Sequence, residues 1–145
     1  MPPVQRHIHA TPERVWAELS KPPTYEHWVV GSRTIESWDP AFPAPGTRFN
    51  HTQGKAPLVI RDETNVVSAD PPRRIELIAK ARPLLVARVI LELRPAGDGT
   101  EVTMEERPES GLMAPLIRLP PGRKLTQARN KEALRRLAEH AEGAA

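Results

Sequence analysis

Apolar and polar residues alternate with a period of two through most of this chain, and the exceptions fall near its two ends. Residues 4 to 10 set Val4, Ile8 and Ala10 against Gln5, His7 and His9, the pattern of a half-buried strand. Thr11-Pro12-Glu13 then supplies an N-cap, a proline at the first helical position and an acid where the helix dipole favours one. This predicts a short helix through about Ser20 that buries Val15, Trp16 and Leu19. Lys21-Pro22-Pro23 stops it, because proline neither donates the helical hydrogen bond nor admits a helical predecessor. Tyr25, Trp28, Val29 and Val30 predict a second short, helical or turn-like link that ends at Gly31.

From Arg33 to Pro108 the pattern predicts only strands and turns, with strands over about 33–38, 46–52, 57–68, 73–81, 84–94 and 100–107. The breaks are PAFPAPG, TQGK, ADPP, the tight turn at Arg82-Pro83, and PAGDG. Leu58, Ile60, Asp62, Thr64 and Val66 oppose Val59, Arg61, Glu63, Asn65 and Val67. Leu85, Ala87, Val89, Leu91 and Leu93 oppose Arg88, Glu92 and Arg94; Val102, Met104 and Glu106 oppose Glu101, Thr103, Glu105 and Arg107. One covered face and one wet face indicate an antiparallel sheet.

The C-terminal part changes period. GLMAPLIRLPP is apolar but broken by Pro115 and Pro120-Pro121, and a long helix is predicted from after Gly122 to about Glu142. Its expected inner face is Arg123, Gln127, Asn130, Leu134, Leu137, Ala138 and Ala141, with Glu132, Arg135, Arg136 and Glu139 outside. One strand, two short helices, six strands and a long C-terminal helix make an α+β fold in which a curved antiparallel β-sheet wraps the last helix. The length of 145 residues fits one domain over residues 1–145.

The opening VQRHIHATPERVWAELSKPPTYEHW, followed in order by PAPGTRF, PLVIRDET, ADPPRRIEL and GDGTEVTMEE, resembles the START-like, helix-grip superfamily SRPBCC, in its polyketide cyclase/dehydrase-like family. The resemblance covers nearly the whole chain. It implies a helix-grip fold with a cavity between the sheet and the long helix, used across the superfamily for lipids, sterols, polyketides, plant hormones or quinones. The superfamily shares no single catalytic motif, so no catalytic residue carries over, and fold alone does not decide between binder and enzyme.

Composition narrows the remaining choices. The chain has no cysteine, which excludes disulfides, thiolate metal sites and a cysteine nucleophile. Lys and Arg exceed Asp and Glu by 21 to 18, and the arginines are dispersed without interleaved aromatics, so no nucleic-acid partner is expected. MPPVQRHIHA has no apolar h-region, and no window approaches the roughly 20 apolar residues of a membrane span. The expected location is the cytoplasm, without membrane insertion, as a monomer or homodimer and without a cofactor.

The inner strand faces are expected to contribute Phe49, His51, Leu58, Ile60, Asp62, Thr64, Ile75, Leu77, Ala79, alternate residues of Leu85 to Leu93, Met104 and Glu106. Asp62 and Glu106 stand out, because a carboxylate on an apolar face must find a partner, shift its pKa or lie near water. Each either pairs with an arginine or, with His51, Gln127 and Asn130, forms a polar end that orients a ligand. The expected ligand-binding set is Trp28, Phe49, His51, Asp62, Thr64, Met104, Glu106, Leu116, Gln127, Asn130 and Leu134. Trp16 is expected in the core, and Leu112 to Leu119 is either packing or a lid. His7 and His9 point outward. No metal site is expected from them, because zinc recruits at least three protein ligands and His27, His51 and His140 hold no fixed spacing to the pair.

Three functions fit this reading. The leading one is a soluble binder of a small hydrophobic molecule, lipid or polyketide-like. The second is a polyketide cyclase or dehydratase in which Glu106 or His51 acts as acid or base. The third, a protein-interaction or chaperone-accessory module, is opposed by the strongly charged outer face of the long helix.

Overall fold

In the computed structural model, which describes residues 2–143, seven antiparallel strands form one sheet in the order β1-β7-β6-β5-β4-β3-β2. The strands are β1 (Val4–Ile8), β2 (Ser32–Trp38), β3 (Arg48–Lys55), β4 (Leu58–Asp70), β5 (Arg74–Ala81), β6 (Leu85–Ala96) and β7 (Gly99–Ser110). Two short helices, α1 (Pro12–Leu19) and α2 (Tyr25–Trp28), lie between β1 and β2; α3 (Ala114–Arg118) and α4 (Pro120–Gly143) follow β7. This is the expected helix-grip arrangement. The one-domain reading over 1–145 also takes in Met1, Ala144 and Ala145, which lie outside the described residues.

Local chemistry accounts for the first elements. Thr11 Oγ1 accepts from the Arg14 N–H at 3.1 Å, with Pro12 at the first helical position, so α1 starts where the sequence predicts. Val15 and Leu19 are fully buried, whereas Trp16 is half-buried and packs against the core rather than lying within it. The alternation also sets the register: Leu77 pairs with Val89, Leu91 with Met104 and Val4 with Met104, which places these apolar side chains on one face.

Three expectations are corrected. First, α4 starts at Pro120 and not after Gly122, because a proline pair is tolerated in a first turn whose N–H groups have no intrahelical acceptor. Gly122 then meets α3 closely: a Cβ there would lie 2.2 Å from the Leu116 carbonyl oxygen. Second, the buried face of α4 is Thr126, Asn130, Ala133, Leu134, Leu137, Ala138 and Ala141. Arg123 is exposed and Gln127 stands at the rim, because the small residues Thr126 and Ala133 allow the closer approach to the sheet. Third, Leu58 is 80% exposed; it sits at the tip of the β3–β4 hairpin, paired with Lys55, where the strand has outrun its cover.

Candidate functional site

Between the inner face of the sheet and α4 lies a cavity of about 120 Å³. Its apolar wall comes from Tyr25, Trp28, Val29 and Val30 after α1, Phe49 on β3, Leu77 and Ala79 on β5, Leu85, Ala87 and Val89 on β6, Met104 on β7 and Ala133 on α4. The aromatic end is fixed by mutual packing: Tyr25 lies 4.8 Å from Trp28 and 4.9 Å from Phe49 between ring centroids. The Tyr25 hydroxyl donates to the Leu19 carbonyl at 2.8 Å, which anchors the α1–α2 link to this wall. Burial pushes the Tyr25 phenol far above its ordinary pKa, so it stays a neutral donor.

Polar groups enter the wall from three directions. His51 on β3 and Thr64 on β4 are buried and joined by a 3.1 Å hydrogen bond between Nε2 and Oγ1. Burial pushes the His51 imidazole below its ordinary pKa, against the opposing pull of the Glu63 backbone and the Asp62 and Glu63 carboxylates. Glu106 on β7 accepts at both carboxylate oxygens from Arg129 Nη2 on α4, at 3.0 and 2.8 Å. Asn130 on α4 is 4% exposed and lines the cavity. Two wall residues carry buried atoms with no hydrogen-bond partner, Trp28 Nε1 and His51 Nδ1. Buried polar atoms are seldom left this way in a protein interior.

Seven of the expected ligand-binding residues thus meet at one cavity: Trp28, Phe49, His51, Thr64, Met104, Glu106 and Asn130. Four do not. Asp62 is taken up by Arg82, whose backbone N–H, Nε and Nη2 donate to it at 2.8, 3.0 and 2.7 Å. Gln127 donates to the Pro2 carbonyl at 3.3 Å at the rim. Leu134 is wholly buried in the core behind the cavity. Leu116 is 55% exposed and lines a separate shallow groove between α3 and the start of α4, with Met113, Leu119 and Leu125. The sequence reading missed Arg129, which a helix wheel centred on Arg123 and Gln127 turns away from the sheet. The available signal was the buried carboxylate of Glu106, which requires a cation opposite.

His7 and His9 stand outside the cavity, on the edge strand β1 and just beyond it, as expected. Beside them, where the sequence placed no further ligand-type side chain, stands Asp98 of the β6–β7 turn, whose carboxylate oxygens lie 2.9 Å from His7 Nε2 and 3.2 Å from His9 Nδ1. That turn is about ninety residues away in sequence, so no local spacing connects it to the pair.

None of the described helices is long and apolar enough to cross a membrane. The structure is similar to those of CV1439 from Chromobacterium violaceum (15% identity, TM-score 0.73, covering 97% of this chain and 96% of that one) and TTHA0849 from Thermus thermophilus (20% identity, TM-score 0.70, covering 99% and 97%). It is also similar to Ara h 8.0201, at 11% identity and a TM-score of 0.74 over 98% of this chain and 97% of that one. At these identities the likeness shows a shared fold. A search of curated proteins found no match. The model of one sequence family, described as polyketide cyclase / dehydrase and lipid transport, matches residues 4–142. The chain belongs to that family.

Proposed function

We infer that this protein binds a small hydrophobic molecule, lipid or polyketide-like, in the cavity between the sheet and α4. The family description supports a hydrophobic-ligand-binding or cyclase-like role. The observation that carries the reading is Asn130, a buried amide on the wall of an apolar cavity. Such a group offers a donor and an acceptor to a ligand hydroxyl or carbonyl, while the aromatic and aliphatic wall takes the apolar body. A volume of about 120 Å³ is close to that of cavities that admit benzene, about 150 Å³, and below the roughly 300–1,000 Å³ of sites that enclose a whole drug-sized ligand. The reading therefore assigns the cavity a ring or a chain segment. The binder works in the cytoplasm as a monomer or homodimer.

Native mass spectrometry of freshly purified protein, followed by denaturation and identification of any released molecule, tests this directly. Titration with anilinonaphthalene sulfonate provides a second measure. Asn130→Ala and Glu106→Gln are expected to weaken binding at least about fivefold, the effect of removing a hydrogen bond of about 1 kcal/mol. A clean apo mass together with unchanged affinity in both variants would sink the reading.

A second reading, an enzyme of the cyclase or dehydratase type, is favoured by His51. A buried imidazole held neutral, with Nδ1 unpartnered, is a candidate base beside a bound carbonyl compound. Glu106 fits that role less well, because both of its oxygens are engaged by Arg129. A substrate-dependent absorbance change that survives in His51→Asn would remove this reading.

A further inference from the structure

The outer side of the sheet carries a cluster that the cavity does not use. Pairing of His7 with Glu101 and of Ile8 with Thr100 brings the end of β1 beside the two-residue turn Gly97-Asp98. Gly99 permits the approach: a Cβ there would lie 2.1 Å from the Ile8 carbonyl oxygen and 3.1 Å from His7 Nε2. The His7 and His9 rings stand edge to face with centroids 4.8 Å apart. One ring nitrogen from each histidine and one Asp98 oxygen all lie within 4.8 Å of one another.

We propose that His7, His9 and Asp98 form a binding site for a divalent first-row transition-metal ion of the class of Zn²⁺. Two imidazole nitrogens and one carboxylate oxygen, without any thiolate, suit Zn²⁺, Co²⁺, Ni²⁺ or Cu²⁺ and not the all-oxygen preference of Ca²⁺ or Mg²⁺. Ligand atoms about 2.0–2.1 Å from a tetrahedral ion stand about 3.3 Å apart. The three side chains are 34%, 65% and 74% exposed and can draw together by the ångström or so required. Three protein ligands leave the fourth position to water or an added ligand.

The surroundings favour the ligating form. In the metal-free hydrogen-bonded arrangement Asp98 accepts from His7 Nε2 and His9 Nδ1. Coordination through His7 Nε2 requires the proton to reside on Nδ1, and the Glu101 carboxylate lies 3.8 Å from that nitrogen. A carboxylate behind a ligating histidine fixes its tautomer and orientation. Glu142, near the end of α4, accepts the His9 backbone N–H at 2.8 Å and holds the second histidine in place. An ion here clips together β1, the β6–β7 turn and, through Glu142, the end of the long helix, so binding raises thermal stability by linkage.

The experiment uses the full chain without a polyhistidine tag, dialysed against chelator. Calorimetric titration with ZnCl₂ is expected to give one Zn²⁺ per chain and an increased Tm, and Co²⁺ is expected to give a visible ligand-field spectrum of nitrogen and oxygen coordination. Asp98→Asn and His9→Ala should each abolish stoichiometric binding and the Tm increase. Glu101→Gln should weaken binding about 10- to 100-fold, and His27→Ala, in a separate stacked pair with His140, should leave it unchanged. Absence of stoichiometric Zn²⁺ in the parent protein overturns the proposal, as does binding that persists in Asp98→Asn and His9→Ala or disappears in His27→Ala. Both ligand variants change exposed side chains, and if one failed to fold the other would decide the matter.

Discussion

Arg129 Nη2 donates to both carboxylate oxygens of Glu106, tying α4 to β7 at the wall of the cavity. The Glu106 side chain is only 5% exposed, and that guanidinium is the cation bound to it. Arg129→Met leaves the carboxylate stranded. Removing one partner of a fully buried pair costs about 3–5 kcal/mol; because the Arg129 side chain is itself 39% exposed, the expected loss is nearer about 1–3 kcal/mol. The Arg129→Met/Glu106→Gln double variant should recover part of it. Urea unfolding of the cycle checks this, and strictly additive losses would show that the two residues do not share an interaction.

Acid stability should depend on Asp62. Burial works to raise its carboxyl, but hydrogen bonds from the Arg82 side chain, the Arg82 N–H and the Glu63 N–H hold it at about 2. A depressed carboxyl stabilises the fold fully above its ordinary value of 3.8 and loses that contribution as pH falls from there through about 2. Asp62→Asn is expected to cost about 1 kcal/mol at neutral pH after solvent screening of the ion pair. The difference from the parent protein should shrink below pH 3.8 and be mostly gone near pH 2. Denaturant melts at several pH values measure it, and a constant difference down to pH 2 would contradict it.

His51 adds a pH dependence in a higher window. Its folded pKa lies below the ordinary 6.5, so the unfolded chain takes up a proton before the folded one does. Stability from this group is complete above 6.5 and declines as pH falls below it. The His51→Asn variant should show a shallower decline in stability as pH falls below about 6.5. An imidazole NMR titration midpoint at or above 6.5 for His51 would refute the assignment.

Gly122 sets helix propensity against packing. In an exposed helix, replacing glycine by alanine gains roughly 1 kcal/mol. Here the added Cβ would meet the Leu116 carbonyl oxygen at 2.2 Å and the Leu116 carbonyl carbon at 2.8 Å. Gly122→Ala is therefore expected to destabilise by about 1–3 kcal/mol and to increase protease cleavage within α3. A more stable variant would show that α3 does not hold this close contact.

The sequence carries its strand register and its first helix on its face. Val102, Met104 and Glu106 point inward because Glu101, Thr103 and Glu105 cannot, and a slip of one residue would bury those polar side chains. Thr11-Pro12-Glu13 starts α1 through interactions confined to one turn. Period and capping are local, so they survive translation into structure unchanged. The start of α4 is the local signal that misled: Pro120-Pro121 reads as a stop and serves as a first turn.

Which polar groups share a site is a different kind of question, because it depends on which faces meet. His51 and Asp62 are register partners on β3 and β4, yet His51 bonds Thr64 inside the cavity while Asp62 is captured by Arg82 from the β5–β6 turn. Asp98 reaches His7 across 91 residues of chain, and Arg129 reaches Glu106 from another element. The pattern of the sequence determined that this chain would be a sheet around a helix with Trp28, Phe49, His51, Met104, Glu106 and Asn130 toward the middle, because hydrophobic period fixes direction within an element. Only the tertiary structure decided that Glu106 is paired, that Asp62 is spent on the rim and that two outward histidines have a carboxylate beside them, because those outcomes are set by the distance between elements, which no local pattern encodes.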